Sequence, residues 1–326
     1  MWKILGILQK NLTWSIPVFM ILGLAFGNFS TVDFLKSWII PLTFLMVYPM
    51  MVTLNIKELL TKGDARLQIA AQLINFAVIP FLGLGIGRLF FPDNHLVVLG
   101  LLLTSLLPTS GMTISWTGFA KGNVPAAVKM TVIGLLAGSV LTPIYLKLLM
   151  GTVVNISLLE VFRQIIFIVF LPLIVGYATQ LLLIKRFGKE EYEKKQKPKF
   201  PMFSTLGVLG IVFVSMALKA KAITSNPIIL LYFLLPIVLI YAINFVFSTI
   251  IGKLLFKDKD AISLVYGTVM RNLSIALAIA MGVFGEKGSE IALIISMAYI
   301  IQVQAAAWYV KLTGKIFKEA TLSPTT

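Results

Sequence analysis

Long apolar runs, separated by short polar, glycine or proline breaks, set the pattern of this chain. Each run is about twenty residues or longer, which is the length that a helix needs to cross the roughly 30 Å hydrocarbon core of a bilayer. The pattern predicts an all-α polytopic membrane protein with about ten transmembrane helices. The predicted spans are 11–29, 37–55, 67–91, 95–118, 124–148, 162–184, 201–220, 226–252, 261–284 and 290–311.

Composition supports the same class. Of the 326 residues, 58% are hydrophobic and only 13% are charged, whereas a soluble domain carries roughly a quarter charged residues. The chain has no cysteine, which excludes disulfides, thiolate metal sites and cysteine nucleophiles. The single histidine, His95, lies in a predicted loop at the very start of span 4, and no predicted span contains a cysteine or an internal acid that could act as a general base. We therefore expect no enzymatic activity, no cofactor and no metal.

The net charge of +15 would suggest a nucleic-acid partner in a soluble protein, but here it reflects orientation in the membrane. With the N-terminus inside, the predicted cytoplasmic segments hold 19 Lys and Arg residues and the outer segments hold 7. We expect a multi-pass protein of the plasma membrane with both termini cytoplasmic, the lipid bilayer as its partner and no nucleic acid. The basic loop 185–199 is interpreted as a solvated linker, with a lipid- or partner-binding patch as the alternative.

The two halves of the chain, 1–155 and 156–326, show a faint repeat. Pro17 and Pro172 are 155 residues apart, and Pro80 and Pro236 are 156 apart. A Lys-Gly turn also precedes the last span of each half. Because five crossings are an odd number, the second copy is inverted relative to the first. Inverted repeats with interrupted helices are typical of secondary transporters.

Span 4 carries the first candidate site. Pro108 removes a backbone donor and predicts a helix break near Leu107. A break at mid-membrane is tolerated where the backbone is buried in protein or lines a cavity, so the polar residues after it are candidate ligands for an ion or polar solute. The alternative is an ordinary proline kink whose hydroxyls bond back to the helix. The residues concerned are Pro108, Thr109, Ser110, Gly111, Thr113 and Ser115.

Span 9 carries the second candidate site, because Arg271 lies about ten residues from either predicted end. A guanidinium keeps its proton, and its cost in a bilayer is estimated at about 2.5 to more than 10 kcal/mol. Snorkelling to the interface is the alternative, but it needs a nearby surface. The other candidates in span 9 are Gly267, Thr268, Asn272 and Ser274.

Five further polar positions have two explanations each. Lys129 lies about one turn into span 5, where snorkelling is the simpler explanation and a functional role the alternative. Gln302 and Gln304 in span 10, and Asn75 and Gln72 in span 3, either line a polar path or form hydrogen bonds between helices.

These stretches resemble a known family. The sequence LPTSGMTISWTGFAKGN, residues 107–123, resembles the fourth-helix motif of the bile acid:sodium symporter superfamily, and its spacing is closest to the arsenite permease branch. Tyr48-Pro49-Met50-Met51 is similar to the same branch, and VMRNLSIALAIAMGVFG, residues 269–285, resembles its ninth helix. The resemblance implies two inverted five-helix repeats whose broken fourth and ninth helices cross beside the transport site.

The chain departs from that family's pattern at several positions. Thr109 stands where the arsenite permeases have a cysteine, and Ser274 where they have a glutamate. Of the positions that match the sodium ligands of the sodium-coupled relatives, only Thr113 and Thr131 keep a usable side-chain oxygen, and Arg271 occupies another. A site without its carboxylate and with a fixed cation is a poor sodium site.

We therefore expect a secondary transporter that moves a small anionic or polar solute by alternating access. Arsenite-type efflux follows from the resemblance alone, and uptake of an organic anion of the bile-acid, pantoate or pyruvate type is the alternative. Arg271 is expected either to pair with an anionic substrate or to stand in for a bound cation. A non-transporting membrane receptor or sensor is the alternative from another class, and the short chain beyond span 10 counts against it.

Overall fold

The structure is a computed structural model of the 326-residue chain. The residues that it describes are 2–29, 31–55, 63–152, 154, 157–225 and 227–317. The predicted boundary between the two repeats, at residues 155 and 156, lies outside them. So do Lys57, Lys62 and Lys318, three of the basic residues behind the predicted orientation.

All regular secondary structure in the described part of the chain is helical. The α-helices are α1 Trp2–Lys10, α2 Leu12–Phe29, α3 Ile39–Val52, α4 Ala65–Leu73, α5 Ile79–Phe90, α6 His95–Leu106, α7 Gly111–Phe119, α8 Val124–Met150, α9 Leu158–Ile165, α10 Leu171–Phe187, α11 Lys189–Glu191, α12 Phe200–Ser225, α13 Ile228–Leu255, α14 Asp258–Val269, α15 Leu273–Val283 and α16 Gly288–Ile316. Wider π-helical turns join some of them, at Ile74–Val78, Ile166–Phe170 and Tyr192–Gln196. Short 3₁₀ turns occur at Asp33–Trp38, Lys197–Lys199 and Gly285–Lys287.

Seven helical segments among the described residues are long and apolar enough to cross a membrane. They are Asp33–Val52, Ala65–Phe90, Val124–Met150, Leu158–Phe187, Lys189–Lys221, Leu230–Leu255 and Gly288–Ile316. Three shorter apolar helices are Trp14–Phe29, His95–Leu106 and Leu273–Val283. The chain is therefore an all-helical, multi-pass membrane protein.

Two of the apolar runs are interrupted. After α6 the backbone of Leu107 is extended, and Pro108 supplies no amide hydrogen for a continuing helix, so the next helix begins only at Gly111. After α14 the chain is extended at Met270, with φ −73° and ψ 123°, and α15 begins at Leu273. No proline or glycine lies at this second interruption.

One compact unit consists of residues 1–54, 146–233 and 273–300. Within it α12 packs along α2 and α3, and α10 packs on α3. The approach of α2 to α12 is close because Gly27 has no β-carbon to meet the backbone of Ala217. The predicted linker 185–199 is largely helical here, and its buried Tyr192 donates a hydrogen bond of 2.8 Å to the Val52 carbonyl at the end of α3.

Many charged side chains of the basic linker are exposed, as expected for a solvated segment. Exposed lysines pair with glutamates four positions earlier, as in Lys194 to Glu190 at 2.7 Å. Such exposed pairs contribute about 0.3–0.5 kcal/mol each to a helix.

The other compact unit consists of residues 55–145, 234–272 and 301–326. Its core brings α4, α8 and α14 together through Leu67, Met130 and Leu264, all at most 2% exposed. Within this unit α5 packs on α6, α14 on α4, and α14 on α7. Both chain interruptions, at Pro108 and up to Asn272, lie in this unit, which therefore holds the candidate site.

Candidate functional site

The two interruptions pair with each other as a short antiparallel bridge between Pro108 and Arg271. The amide of Thr109 donates to the Met270 carbonyl at 2.8 Å, and the amide of Asn272 donates to the Leu107 carbonyl at 2.8 Å. Broken helices leave such backbone groups without intrahelical partners, and a bilayer core offers no water to replace them. The bridge satisfies them and joins the two interruptions at one place, which we call the crossing.

Thr109 has a strained backbone at this crossing. Its φ is +62°, in the left-handed region that a β-branched residue seldom adopts. Its hydroxyl donates to the Pro108 carbonyl at 2.7 Å and lies 3.3 Å from the Thr131 carbonyl in α8. Helix α8 can pass this close because it has Gly134 here. A β-carbon at this position would lie only 2.6 Å from the Thr109 hydroxyl. The crossing therefore packs directly on α8.

The Arg271 side chain is buried at the bridge and only 3% exposed. Its Nη2 donates to the Thr268 carbonyl at 2.6 Å. Nε and Nη1 are buried without a hydrogen-bond partner among the described residues, and no carboxylate there forms an ion pair with Arg271. A guanidinium carries five N–H donors, three of them on Nε and Nη1. The charge therefore retains most of its capacity to bind a ligand.

The backbone of Arg271 is held by Gln302 of α16. Gln302 Oε1 accepts from the Arg271 amide at 2.7 Å and from the Tyr241 hydroxyl at 2.9 Å, and Gln302 Nε2 donates to the Arg271 carbonyl at 3.2 Å. The side-chain amide thus pairs with the Arg271 peptide as a neighbouring strand would. It fixes the main chain from which the guanidinium projects.

The carbonyls at the C-terminal end of α14 lie against donors from other helices. Asn75 Nδ2 donates to the Gly267 carbonyl at 3.0 Å, and Asn244 Nδ2 donates to the Thr268 carbonyl at 2.9 Å. The C-terminal end of a helix carries partial negative charge and favours a cation nearby. The Arg271 guanidinium, bonded to the Thr268 carbonyl, occupies such a position.

The predicted hydroxyl ligands mostly have partners within the protein. Ser110 and Thr113 form a reciprocal cap at the start of α7, where Ser110 accepts from the Met112 amide at 3.2 Å and Thr113 accepts from the Ser110 amide at 3.0 Å. Thr131 donates to the Ala127 carbonyl at 2.8 Å in its own helix. The cap therefore uses acceptor lone pairs of Ser110 and Thr113, whereas Thr131 uses its one donor.

The remaining predicted residues lie in different settings. Thr268 bonds Ser248 at 2.7 Å, and Gly267 contributes its carbonyl to Asn75. Asn272 is buried beside Arg271, whereas Gly111 and Ser115 are exposed on α7. Ser274 belongs to the other compact unit, where its hydroxyl lies 2.7 Å from that of Tyr299.

Lys129 is buried at 4% exposure and forms an ion pair. Its Nζ lies 3.7 Å from Asp64 Oδ2 and donates to the Gly63 carbonyl at 3.3 Å. Asp64 itself is 27% exposed, at the edge of the unit. This lysine is therefore neutralised within the fold.

The structure adds residues that the sequence did not single out as site residues. Gln302 and Asn75 were expected to line a path or join helices, and they hold the Arg271 peptide and the Gly267 carbonyl. Asn244 and Tyr241 of α13 were not anticipated. The available signal was the single amide of Asn244 in the apolar run between 228 and 247.

Residues 40–226 of the chain match the sequence profile of the Sodium Bile acid symporter family. The arsenical-resistance protein Acr3 of Alkaliphilus metalliredigens is 23% identical over 343 residues, covering 96% of this chain and 94% of that protein. Acr3 of Corynebacterium glutamicum is 23% identical over 303 residues, which cover 84% of this chain and 81% of that protein. Sodium/bile acid cotransporter 7 of Rattus norvegicus is 26% identical over 204 residues, which cover 60% of this chain and 56% of that protein.

Proposed function

Because the chain belongs to the sodium bile acid symporter family, we propose that this membrane transporter moves a small anionic or polar solute by alternating access. In this proposal ten helices form two inverted five-helix repeats, with both termini cytoplasmic in the plasma membrane. The two interruptions, at Pro108 and at Arg271, contribute the transport site. Inverted repeats with discontinuous helices near the midplane are a common transporter plan.

One observation carries the substrate-binding part of the proposal, namely the buried guanidinium of Arg271 with Nε and Nη1 unpartnered. A desolvated cation with three unused N–H donors favours an anion, and bonds to charged partners are the stronger ones. Thr109, Ser110, Thr113, Thr131 and Asn272 supply polar groups around the crossing. In this role Arg271 contacts the solute directly.

A second role for Arg271 rests on its bond to the Thr268 carbonyl. The guanidinium lies at the negative end of α14, where a bound cation would serve the same purpose. In this role Arg271 is a built-in cation that replaces a coupling ion and needs no contact with the solute. The absence of acidic side chains among the predicted site residues makes sodium coupling unfavourable there.

The substrate is proposed at the level of chemical class. Two relatives are named for arsenical resistance and another as a sodium/bile acid cotransporter. Arsenite is an uncharged hydroxide near neutral pH, so a guanidinium whose Nε and Nη1 lack partners among the described residues favours an organic anion over it. Thr109 supplies a hydroxyl where a soft arsenic centre prefers a thiolate.

The test is flux into proteoliposomes that contain the purified protein. The panel comprises arsenite, pyruvate, pantoate and a bile acid, each with and without sodium and across a pH step. We expect sodium-independent flux of at least one anion, and loss of that flux in Arg271→Gln. Restoration of Arg271→Gln by added sodium identifies the stand-in role, whereas failure of sodium to restore it identifies direct pairing.

Arg66→Gln is the matched control, because Arg66 is an exposed arginine at the start of α4 in the same unit. It removes the same charge without touching the crossing and should keep wild-type flux. Normal flux in Arg271→Gln would contradict both roles. An absence of flux for every solute would instead favour a receptor or sensor.

A further inference from the structure

A second polar feature lies away from the Arg271 crossing, in a groove between α4, its π-helical extension and α8. The groove has a volume of about 470 Å³, and all of its lining residues belong to the unit formed by 55–145, 234–272 and 301–326. No charged side chain lines it among the described residues. Ile69 and Leu73 at its edge are exposed. Since α4 and α8 are candidate membrane spans, the groove opens towards acyl chains.

Two glutamines lie in this groove four residues apart, which places them on the same face of α4. Gln68 is 8% exposed, and its Nε2 donates to the Ala126 carbonyl at 3.1 Å, but its Oε1 is buried without a partner among the described residues. Both Oε1 and Nε2 of Gln72 are also buried, with no partner in the described part of the chain. An amide left unbonded in an apolar medium is unfavourable.

The hydrogen-bonding groups in the groove define what they would bind. Gln68 and Gln72 each offer an acceptor oxygen, and Gln72 offers two N–H donors. The hydroxyl of Tyr145 already donates to the Phe76 carbonyl at 2.6 Å and so retains only acceptor capacity towards a ligand. The complementary headgroup is uncharged, donates more than one hydrogen bond and accepts at least one.

We propose that this groove binds a neutral lipid whose headgroup is a glycerol with two adjacent free hydroxyls. The hydroxyls donate to Gln68 Oε1 and Gln72 Oε1 and accept from Gln72 Nε2. The acyl chain lies along Ile69, Leu73 and Ile133. A phosphate would be desolvated in this groove without a cation to pair with it, so an anionic lipid is disfavoured.

The test is native mass spectrometry of the full chain in lauryldimethylamine oxide, whose headgroup carries no hydroxyl. The probes are 1-monooleoylglycerol, a phosphatidylglycerol with the same acyl chain, and hexadecane. We expect 1-monooleoylglycerol to bind at least about five-fold more tightly than either of the others. Gln72→Leu removes two of the three unpartnered amide atoms and should lower the bound fraction about ten-fold.

A second variant tests the groove even if Gln72→Leu folds poorly, and a third serves as the control. Ile133→Trp fills the groove while keeping both amides and should also abolish binding. Gln164→Leu is the matched control, because Gln164 lines a different groove in the unit formed by 1–54, 146–233 and 273–300. It should bind the lipid as the wild type does.

Three results would overturn the proposal. Phosphatidylglycerol binding as tightly as 1-monooleoylglycerol would remove the preference for a neutral headgroup. Hexadecane binding equally well would reduce the groove to a site for acyl chains. Unchanged binding in both Gln72→Leu and Ile133→Trp would place the lipid elsewhere.

Discussion

Arg271 and Lys129 are both buried cations in the same compact unit, but only Lys129 has a counter-charge among the described residues. Lys129 has Asp64 Oδ2 at 3.7 Å and the Gly63 carbonyl at 3.3 Å. Arg271 has the Thr268 carbonyl at 2.6 Å, while its Nε and Nη1 have no partner among the described residues. Burial is nearly equal, at 4% and 3% exposure. The difference lies in the counter-charge.

The magnitudes show why this difference matters. A hydrogen bond to a charged group contributes about 1.5–3 kcal/mol, whereas a charge at mid-membrane costs about 2.5 kcal/mol by insertion measurements and more than 10 by simulation. One carbonyl therefore does not offset the burial of Arg271 on the larger estimates. A cation with an internal partner serves the fold, and a cation without one is available to a ligand.

The largest expected effect comes from exchanging the two types of cation. Arg271→Lys keeps the charge but loses the planar set of donors, so flux should fall on the order of 10²-fold, as expected for the loss of one or two charge-assisted bonds. Lys129→Arg keeps its pairing with Asp64 and should change flux by less than about two-fold. Both are measured in proteoliposomes. Equal losses in the two variants would remove the functional distinction between the sites.

A smaller effect should follow from giving Arg271 an internal counter-charge. Gln302→Glu is nearly isosteric and keeps the acceptor for the Arg271 amide, but it replaces the Nε2 donor to the Arg271 carbonyl with a carboxylate oxygen and so adds a negative charge next to Arg271. The new charge competes with an anionic solute, so flux should fall about ten-fold at a given solute concentration. Thermal unfolding in detergent should occur at a higher temperature than in Gln302→Leu, which loses both contacts with the Arg271 peptide.

Gln302→Leu is the control for this prediction. It removes the contacts to the Arg271 peptide without adding charge, and it should lower both flux and unfolding temperature. If Gln302→Glu behaves like Gln302→Leu, the contacts of Gln302 matter and the charge does not.

The smallest expected effect on transport belongs to the lysine pair. Asp64→Asn leaves Lys129 buried without a carboxylate, at a cost of about 1–3 kcal/mol of unfolding free energy, less than for a fully buried pair because Asp64 is 27% exposed. The unfolding temperature should fall, whereas flux per folded molecule should stay near the wild-type value. The double variant Asp64→Asn, Lys129→Met should recover much of the stability. A large loss of flux per folded molecule would show that this pair also takes part in transport.

Parts of this architecture could be predicted from the sequence because they depend on local physics. Long apolar runs indicate membrane helices by their length alone, and Pro108 ends α6 wherever that helix lies. The interruption at Met270–Asn272 has no such local cause. It depends on hydrogen bonds with Leu107 and Thr109, more than 160 residues away in the chain, and only the resemblance indicated it.

The same limit applies to the partners of the charges. The depth of Arg271 in an apolar run identified it as unusual, but its contact with Gln302 depends on the position of α16, 31 residues further along the chain. Asp64 and Lys129 are 65 residues apart, and no spacing rule joins them. The inverted repeat and the ten crossings remain predictions.

The Gln302 contacts with the Arg271 peptide have a consequence for the kinetics of ligand exchange. Because the amide and the carbonyl of Arg271 are both held, an arriving solute does not have to order this segment of backbone. Pre-organisation of this kind lowers the entropic cost of association. A solute that needs only the guanidinium should therefore bind quickly, and differences in affinity among such solutes should lie mainly in their residence times.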